Sequence, residues 1–398
     1  MKKGSVTSPA GFVASGMHCG IKKRKKRHDC SLIFSEAKSI AAGVFTTNRM
    51  KAWPVLHSMR VLGGSSHRAV LATSGNANCA NGPKGLLTVR EAVAEAAKCL
   101  RLSEGEILIA QTGLIGVPFP ISCFKRNIPI LVDRLSKNGG RDAARGIMTT
   151  DKRPKDLAYK ARIGGRQVTV GAIAKGAGMI HPNMATMLCF LTTDAAITKP
   201  LLRRAIRYAA DATFNRMAID NDMSTNDCVL ALANGRARNP LIQRTDRDYR
   251  LFRELVTVLC RDLAYQMIED GEGVSHVCTL KLSGAKSPTQ AEKAVRQIGT
   301  SLLFKAMLAG ADPNWGRIVA AIGASGADFK QKDLYITIGG VEVLCGGKPR
   351  VLNLPKARKV LQKKSYTIEI GIGKGRGRAD FIASDLTKEY VEINSAYS

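Results

Sequence analysis

Apolar positions along the chain follow two rhythms. Short runs bounded by turn residues, at Ala69–Thr73, Ile107–Gln111, Val168–Ala174, Met187–Thr192, Leu334–Ile338 and Tyr366–Gly371, have the length and make-up of buried strands. Between them, helical spacing of apolar residues marks Val89–Leu100, Lys199–Phe214, Tyr249–Ile268, Thr289–Leu308 and Trp315–Ile322. Strands and helices are mixed throughout without a regular βαβ rhythm, which predicts an α/β or α+β layered fold. No internal repeat, low-complexity tract or Pro/Ser-rich linker divides the chain.

The sharpest change of pattern lies at residues 175–194. A polar, Gly- and Pro-bearing stretch opening at Lys175 stops at Ala185-Thr186 and becomes an apolar run, which predicts a buried strand beginning at Thr186. A threonine there, preceded by a small residue on a loop, suits self-cleavage. Its hydroxyl can attack the Ala185 carbonyl, and hydrolysis of the resulting ester leaves Thr186 as a new N-terminus. The freed α-amine, with a reference pKa of roughly 7.7–8.0, can then act as general base for the hydroxyl of the same residue. An ordinary strand threonine fits the same pattern, since β-branched residues favour strands.

Composition bounds the remaining possibilities. A chain of 398 residues can bury a large core, and 45% hydrophobic with 23% charged residues is ordinary for a globular protein. The ten cysteines are scattered with no C-x-x-C pair, and the six histidines form no metal-like spacing with them. Neither a zinc site nor a disulfide framework is predicted, and reduced thiols in a cytoplasm fit best. The N-terminal stretch is basic but lacks an apolar core, and no apolar run approaches a membrane span of ~18–20 residues. The expectation is a protein that stays where it is made, with no membrane partner.

The net charge of +29 is the anomaly. It is spread widely, with clusters at Lys22–Arg27, Arg203–Arg207 and Lys374–Arg378, aromatics are only 5%, and no nucleic-acid-binding module is visible. A cation-rich solvated surface is therefore expected, and no nucleic-acid partner.

The segment KGAGMIHPNMATML, residues 175–188, resembles the hallmark of the ornithine acetyltransferase family (glutamate N-acetyltransferase), whose members split before the threonine of an A-T-M-L sequence. The likeness runs nearly end to end. It includes Val6–Phe12, Ala42–Asn48, Ser74–Asn78, Gln111–Gly116, Met148–Asp151 and Asp222–Asp227, then Asp270–Gly273, Asp312–Arg317 and Tyr390–Asn394, in family order. It implies a four-layer αββα sandwich self-processed into an α chain, residues 1–185, and a β chain, residues 186–398. The two would share one fold, and an α2β2 heterotetramer is the expected assembly. The likeness places Lys22–Arg27 at a turn between early strands, so that cluster is expected to be a solvated loop.

The resemblance also assigns roles. Thr186 is the nucleophile and, with Ala185, the cleavage site; Thr112 and Gly113 form the oxyanion hole; Thr149, Lys175, Glu272 and Asn394 contact substrate. Each has a bottom-up reading beside it. Gln111–Pro120 reads as a glycine-rich turn after a strand, whose backbone N–H groups can face an oxyanion and whose Gly113 permits close approach. Lys175 can neutralise a carboxylate or depress a neighbouring amine's pKa, although most lysines in so basic a chain are surface residues. Thr149 and Thr150 precede Asp151 in a polar turn that equally fits a helix cap. Glu272, flanked by glycines after a long helix, suits an ammonium partner. Asn394 lies at a chain end, where order is not the default. Departures from the family are Gln111, where Ser or Thr is usual, Ser275-His276, where Thr-Lys is common, and Ser398, one residue short of the family's terminal hydroxyl.

Two other motifs point elsewhere. Gly371–Gly377 resembles a phosphate loop, but its lysine is misplaced for one, and a glycine-rich hairpin or bend is expected. Asp220, Asp222 and Asp227 lack the spacing of a calcium loop and read as turn builders. The expected activity is acetyl transfer from N2-acetylornithine to glutamate through an acetyl-Thr186 ester, with no metal or cofactor and with acetyl-CoA as a second donor in bifunctional members. The alternatives are an N-terminal-nucleophile amidohydrolase or aminopeptidase, and a basic nucleic-acid-binding protein on an enzyme-like fold.

Overall fold

A computed structural model describes residues 4–23, 27–181 and 187–395, and they form a mixed α/β fold. By packing, the described residues divide into two compact units: the first draws on 1–176, 183–215 and 223–267, the second on 177–182, 216–222 and 268–398. The first therefore takes strands from both sides of the Ala185–Thr186 bond.

The first unit holds two sheets. One orders β1 (Phe12–Met17), β2 (Cys30–Ser35), β4 (Ala69–Asn76) and β5 (Ile107–Leu114), and β3 (Ile40–Phe45) belongs to the other. That second sheet runs β3, the strand Cys228–Ala233, β8 (Leu188–Thr193), β7 (Arg166–Lys175) and β6 (Lys155–Ile163). One apolar core is shared by residues of both sheets, including Phe12, Ile33, Val70 and Leu108 from the first and Ile173, Leu188, Phe190 and Leu230 from the second. A further core under the first sheet joins Leu32, Leu71 and Ile109 to Val89 and Val93 of the helix Gly82–Leu100 and to Phe124 and Ile128 of the helix Ile121–Asp133. Against β3 packs the helix Lys199–Ala212.

The second unit is built on a seven-stranded sheet in which Val277–Ala285 is flanked by the central strand Ser365–Gly371 in parallel and by Gly377–Ser384 antiparallel. The segment Gly371–Gly377 therefore links two strands that both pair with a third, and is the bend of the two expected alternatives, not a hairpin turn. Its glycines let two backbones touch: a Cβ on Gly284 would meet the Gly373 carbonyl oxygen at 2.1 Å, and one on Gly375 the Ala285 oxygen at 2.0 Å. The single helix expected at Thr289–Leu308 is two, Pro288–Gly299 and Leu302–Ala309. The break sits where Ser301 leaves helical geometry and its side chain accepts the Phe304 N–H, a cap that starts a new helix in a new direction. Both helices bury apolar faces in the core of this sheet. No helix of the described residues is long and apolar enough to cross a membrane.

Candidate active site

Ala185 and Thr186 lie outside the described residues, as does Ser398. Around the Ala185–Thr186 bond, the described residues run up to His181 and start again at Met187. β7 ends at Lys175, antiparallel to β8 with Lys175 opposite Leu188. The Met187 N–H donates to Asp227 Oδ1 at 2.8 Å. Burial pushes the Asp227 carboxyl well above the ordinary range, against the Met187 N–H and the Lys175 charge, which favour its ionised form. Asp227 is thus a buried carboxyl whose ionised form burial disfavours, beside the start of β8, and not a simple turn builder.

Thr112 and Gly113 sit within β5, not in a turn after it. They pair with Ser74 and Gly75 of β4 at a register shift. Gly113 has φ +133°, and a Cβ there would come within 2.3 Å of the Gly75 carbonyl carbon and 2.5 Å of the Asn76 nitrogen, so the bulge between the two strands requires glycine. Thr112 is buried. Beside it, Gln111 is buried and satisfied: its amide donates to Thr73 Oγ1 at 3.1 Å and its Oε1 accepts from Asn78 Nδ2 at 3.1 Å. A serine or threonine could not span both partners, so the departure at this position carries its own network.

Thr149 and Lys175 meet through Asp151. The Thr149 N–H donates to Asp151 Oδ2 at 2.9 Å, while the Gly176 N–H, 3.0 Å, and Lys155 Nζ, 2.7 Å, both donate to Oδ1. No helix follows, so the carboxylate closes this turn where a cap was the other possibility. Lys155 and Asp151 side chains are both fully enclosed, and Lys175 is buried. Burial alone would raise the Asp151 pKa, but the ammonium groups of Lys155 and Lys175 and the hydrogen bonds hold it well below the usual carboxylate range. Lys22 belongs to the same neighbourhood and is half-buried, while Lys23 and Arg27 are exposed: Lys22 Nζ donates to the carbonyls of His28 at 2.7 Å and Met148 at 2.6 Å. Burial lowers its pKa to about 8, opposed by Asp29.

In the second unit, Glu272 is buried, its N–H donates to the Ala177 carbonyl at 2.8 Å, and its carboxylate accepts from Asn394 Nδ2 at 2.8 Å. Asn394 lies on the ordered C-terminal helix Lys388–Ser395, so two of the candidate substrate contacts touch. Gly178 gives the carboxylate room, since a Cβ there would lie 2.3 Å from Glu272 Oε2. Next to this pair, Asp220 gathers the N–H groups of Met179 (2.6 Å), Ile180 (2.8 Å) and Asp222 (3.2 Å) and the Tyr390 hydroxyl (3.1 Å). Burial raises its pKa to about 6 despite those donors. Among the described residues no group of His, Cys, Asp and Glu could hold a metal ion.

Asp151, Lys155, Asp220, Asp227 and Tyr390 were not singled out by motif reasoning as site groups. Their one sequence signal is that they lie in or beside quoted motifs, and most of their partners are distant along the chain.

The fold and these two polar clusters define a mixed α/β protein with buried ionisable groups flanking a Gly-rich segment. Comparison with known proteins places it more narrowly. The chain matches the ArgJ family over residues 13–398, and it belongs to that family. It is 40% identical over 396 residues to the arginine biosynthesis bifunctional protein ArgJ of Dehalococcoides mccartyi, covering 99% of this chain and 97% of that one. Identity to the protein of the same name in Symbiobacterium thermophilum is 42% over 395 residues, covering 99% and 98%. Among solved structures, that of the ArgJ protein of Bacillus halodurans matches with a TM-score of 0.51 and 35% identity, covering 52% of this chain and 98% of the solved chain.

Proposed function

We propose that this chain is a cytoplasmic glutamate N-acetyltransferase of arginine biosynthesis. It moves the acetyl group of N2-acetylornithine to glutamate by a two-step route. The Thr186 hydroxyl attacks the acetyl carbonyl while its own α-amine takes the proton. Thr112 and Gly113 stabilise the tetrahedral oxyanion, and the C–N bond breaks to release ornithine and leave an acetyl ester on Thr186. The glutamate amine then attacks that ester and restores the free hydroxyl as N-acetylglutamate departs. Lys175 and Thr149 receive the substrate carboxylate, and Glu272 with Asn394 receives an ammonium. Acetyl-CoA is a second acetyl source in this reading, as the word bifunctional in the relatives' names suggests.

The reading requires cleavage between Ala185 and Thr186 within a four-layer αββα sandwich, giving chains that stay associated as α2β2. The shared core of the two sheets, with helices beyond, supports the layering. Cleavage is supported by the length of the Bacillus halodurans chain, nearly all of which matches about half of this one. A β chain of residues 186–398 is likewise about half of the 398.

The observation that carries the proposal is the family match over residues 13–398, which spans the cleavage bond and each candidate contact from Thr112 to Asn394. The test is release of ornithine from N2-acetylornithine with and without glutamate. Glutamate-dependent release with stoichiometric N-acetylglutamate is expected. Equal release in its absence, with free acetate, would make the protein an amidohydrolase instead.

A further inference from the structure

We infer that Asp151 is a positioning residue for acetyl transfer, one that locks Thr149 and the Lys175-Gly176 segment into a single frame and presents Lys175 as a cation to the substrate carboxylate. This rests on the substrate-binding role proposed above for Lys175 and Thr149. The geometry is convergent. One carboxylate accepts the N–H of Thr149, the N–H of Gly176 and the Lys155 ammonium at 2.9, 3.0 and 2.7 Å. The first two belong to segments more than twenty residues apart, so fixing both against one group fixes them against each other.

Stability alone is a poor reason for this arrangement. A fully enclosed ion pair such as Lys155–Asp151 gives back most of its attraction as desolvation. A reason appears in the charges facing Lys175. Lys155 enters from the start of β6, opposite Ala174 in the register, and Lys22 approaches from the segment between β1 and β2. Asp227, on the loop before Cys228, faces it as a carboxyl whose ionisation burial disfavours, and Asp29 faces Lys22. Without Asp151 three lysines would crowd one buried place. With it, Lys155 is ion-paired and a carboxylate also faces the Lys175 ammonium.

The test uses the full-length protein, first shown to transfer acetyl groups to glutamate, and reads kcat/KM against pH for Asp151→Asn and Lys155→Met. Asp151→Asn removes an anion facing the Lys175 ammonium, so the basic limb of the profile should move to lower pH and kcat/KM fall by up to about 100-fold at its maximum. Lys155→Met removes a competing cation and leaves Asp151 its two backbone donors, so the basic limb should move the other way. Opposite displacements are the signature, and either variant alone reads its half if the other does not fold. Basic limbs that stay where the wild type has them overturn the inference, whether or not activity drops. Absence of transfer in the wild type would instead overturn the underlying function.

Discussion

Asn394 Nδ2 donates to the Glu272 carboxylate at 2.8 Å, joining the C-terminal helix to the turn that follows the longest helix, Arg247–Glu269. Glu272 is nearly enclosed, whereas Asn394 is exposed, so the two should differ in weight. Glu272→Ala is expected to leave chain cleavage intact and to lower kcat/KM for amino-acid substrates by tens to hundreds of fold, roughly 2–3 kcal/mol for a charge-assisted hydrogen bond. Asn394→Ala should cost about 1 kcal/mol or less. Steady-state kinetics on both variants checks the order, and a Glu272→Ala enzyme as active as wild type would remove Glu272 from the site.

Gly178 sits against the same carboxylate, with Glu272 Oε2 2.3 Å from where a Cβ would stand. The obstructing group is the end of a flexible side chain, so Gly178→Ala should fold and move the carboxylate instead. Thermal unfolding near wild type together with a raised KM for amino-acid substrates is expected.

Gly113→Ala meets backbone, with the Gly75 carbonyl carbon at 2.3 Å and φ at +133°. Nothing there can yield cheaply. The variant should lose about 2 kcal/mol or more of stability, measurable as a lower midpoint in urea, and acetyl transfer should fall with it.

How much of this was legible in the sequence differs by element. The strands at Ala69, Ile107, Val168 and Leu334 were readable because β-branched and leucine residues fill them, and the helix Lys199–Ala212 because its apolar residues recur on one face. Phe12–Met17 and Ile40–Phe45 are strands in which Ala, Ser and Gly make up half of the residues, which weakens the local preference; pairing with β2 and with Cys228–Ala233 decides them. The partial burial of Lys22 could not be read locally, since one of its two acceptors, Met148, lies 126 residues away. Of the site, Lys175, Thr149, Glu272 and Asn394 stood out through family likeness, and their own residue types would not have singled them out. Asp151 gathers its donors only once β6 and β7 pair.

Lys305 offers a pH test of the second unit. It is fully buried, with Nζ donating to the Ser384 carbonyl at 2.5 Å and to Ser384 Oγ at 3.2 Å. Burial lowers its pKa to about 8, although Asp385 and Asp220 oppose the shift. The unfolded chain holds this proton up to the ordinary lysine value near 10.5, and the folded chain releases it earlier. Stability from this group therefore rises as pH increases from about 8 to 10.5, on the order of 3 kcal/mol at most. Denaturant titrations across that window should show the rise in the wild type and a flatter profile in Lys305→Met.

The most direct measurement is the mass and N-terminal sequence of the purified wild-type protein. Cleavage at Ala185–Thr186 divides the 42.8 kDa chain into pieces of about 20 and 23 kDa, the larger beginning Thr-Met-Leu-Cys, while Thr186→Ala stays a single chain because no hydroxyl remains to start the acyl shift. A wild-type protein that is uncut yet fully active in acetyl transfer to glutamate would contradict an N-terminal threonine nucleophile.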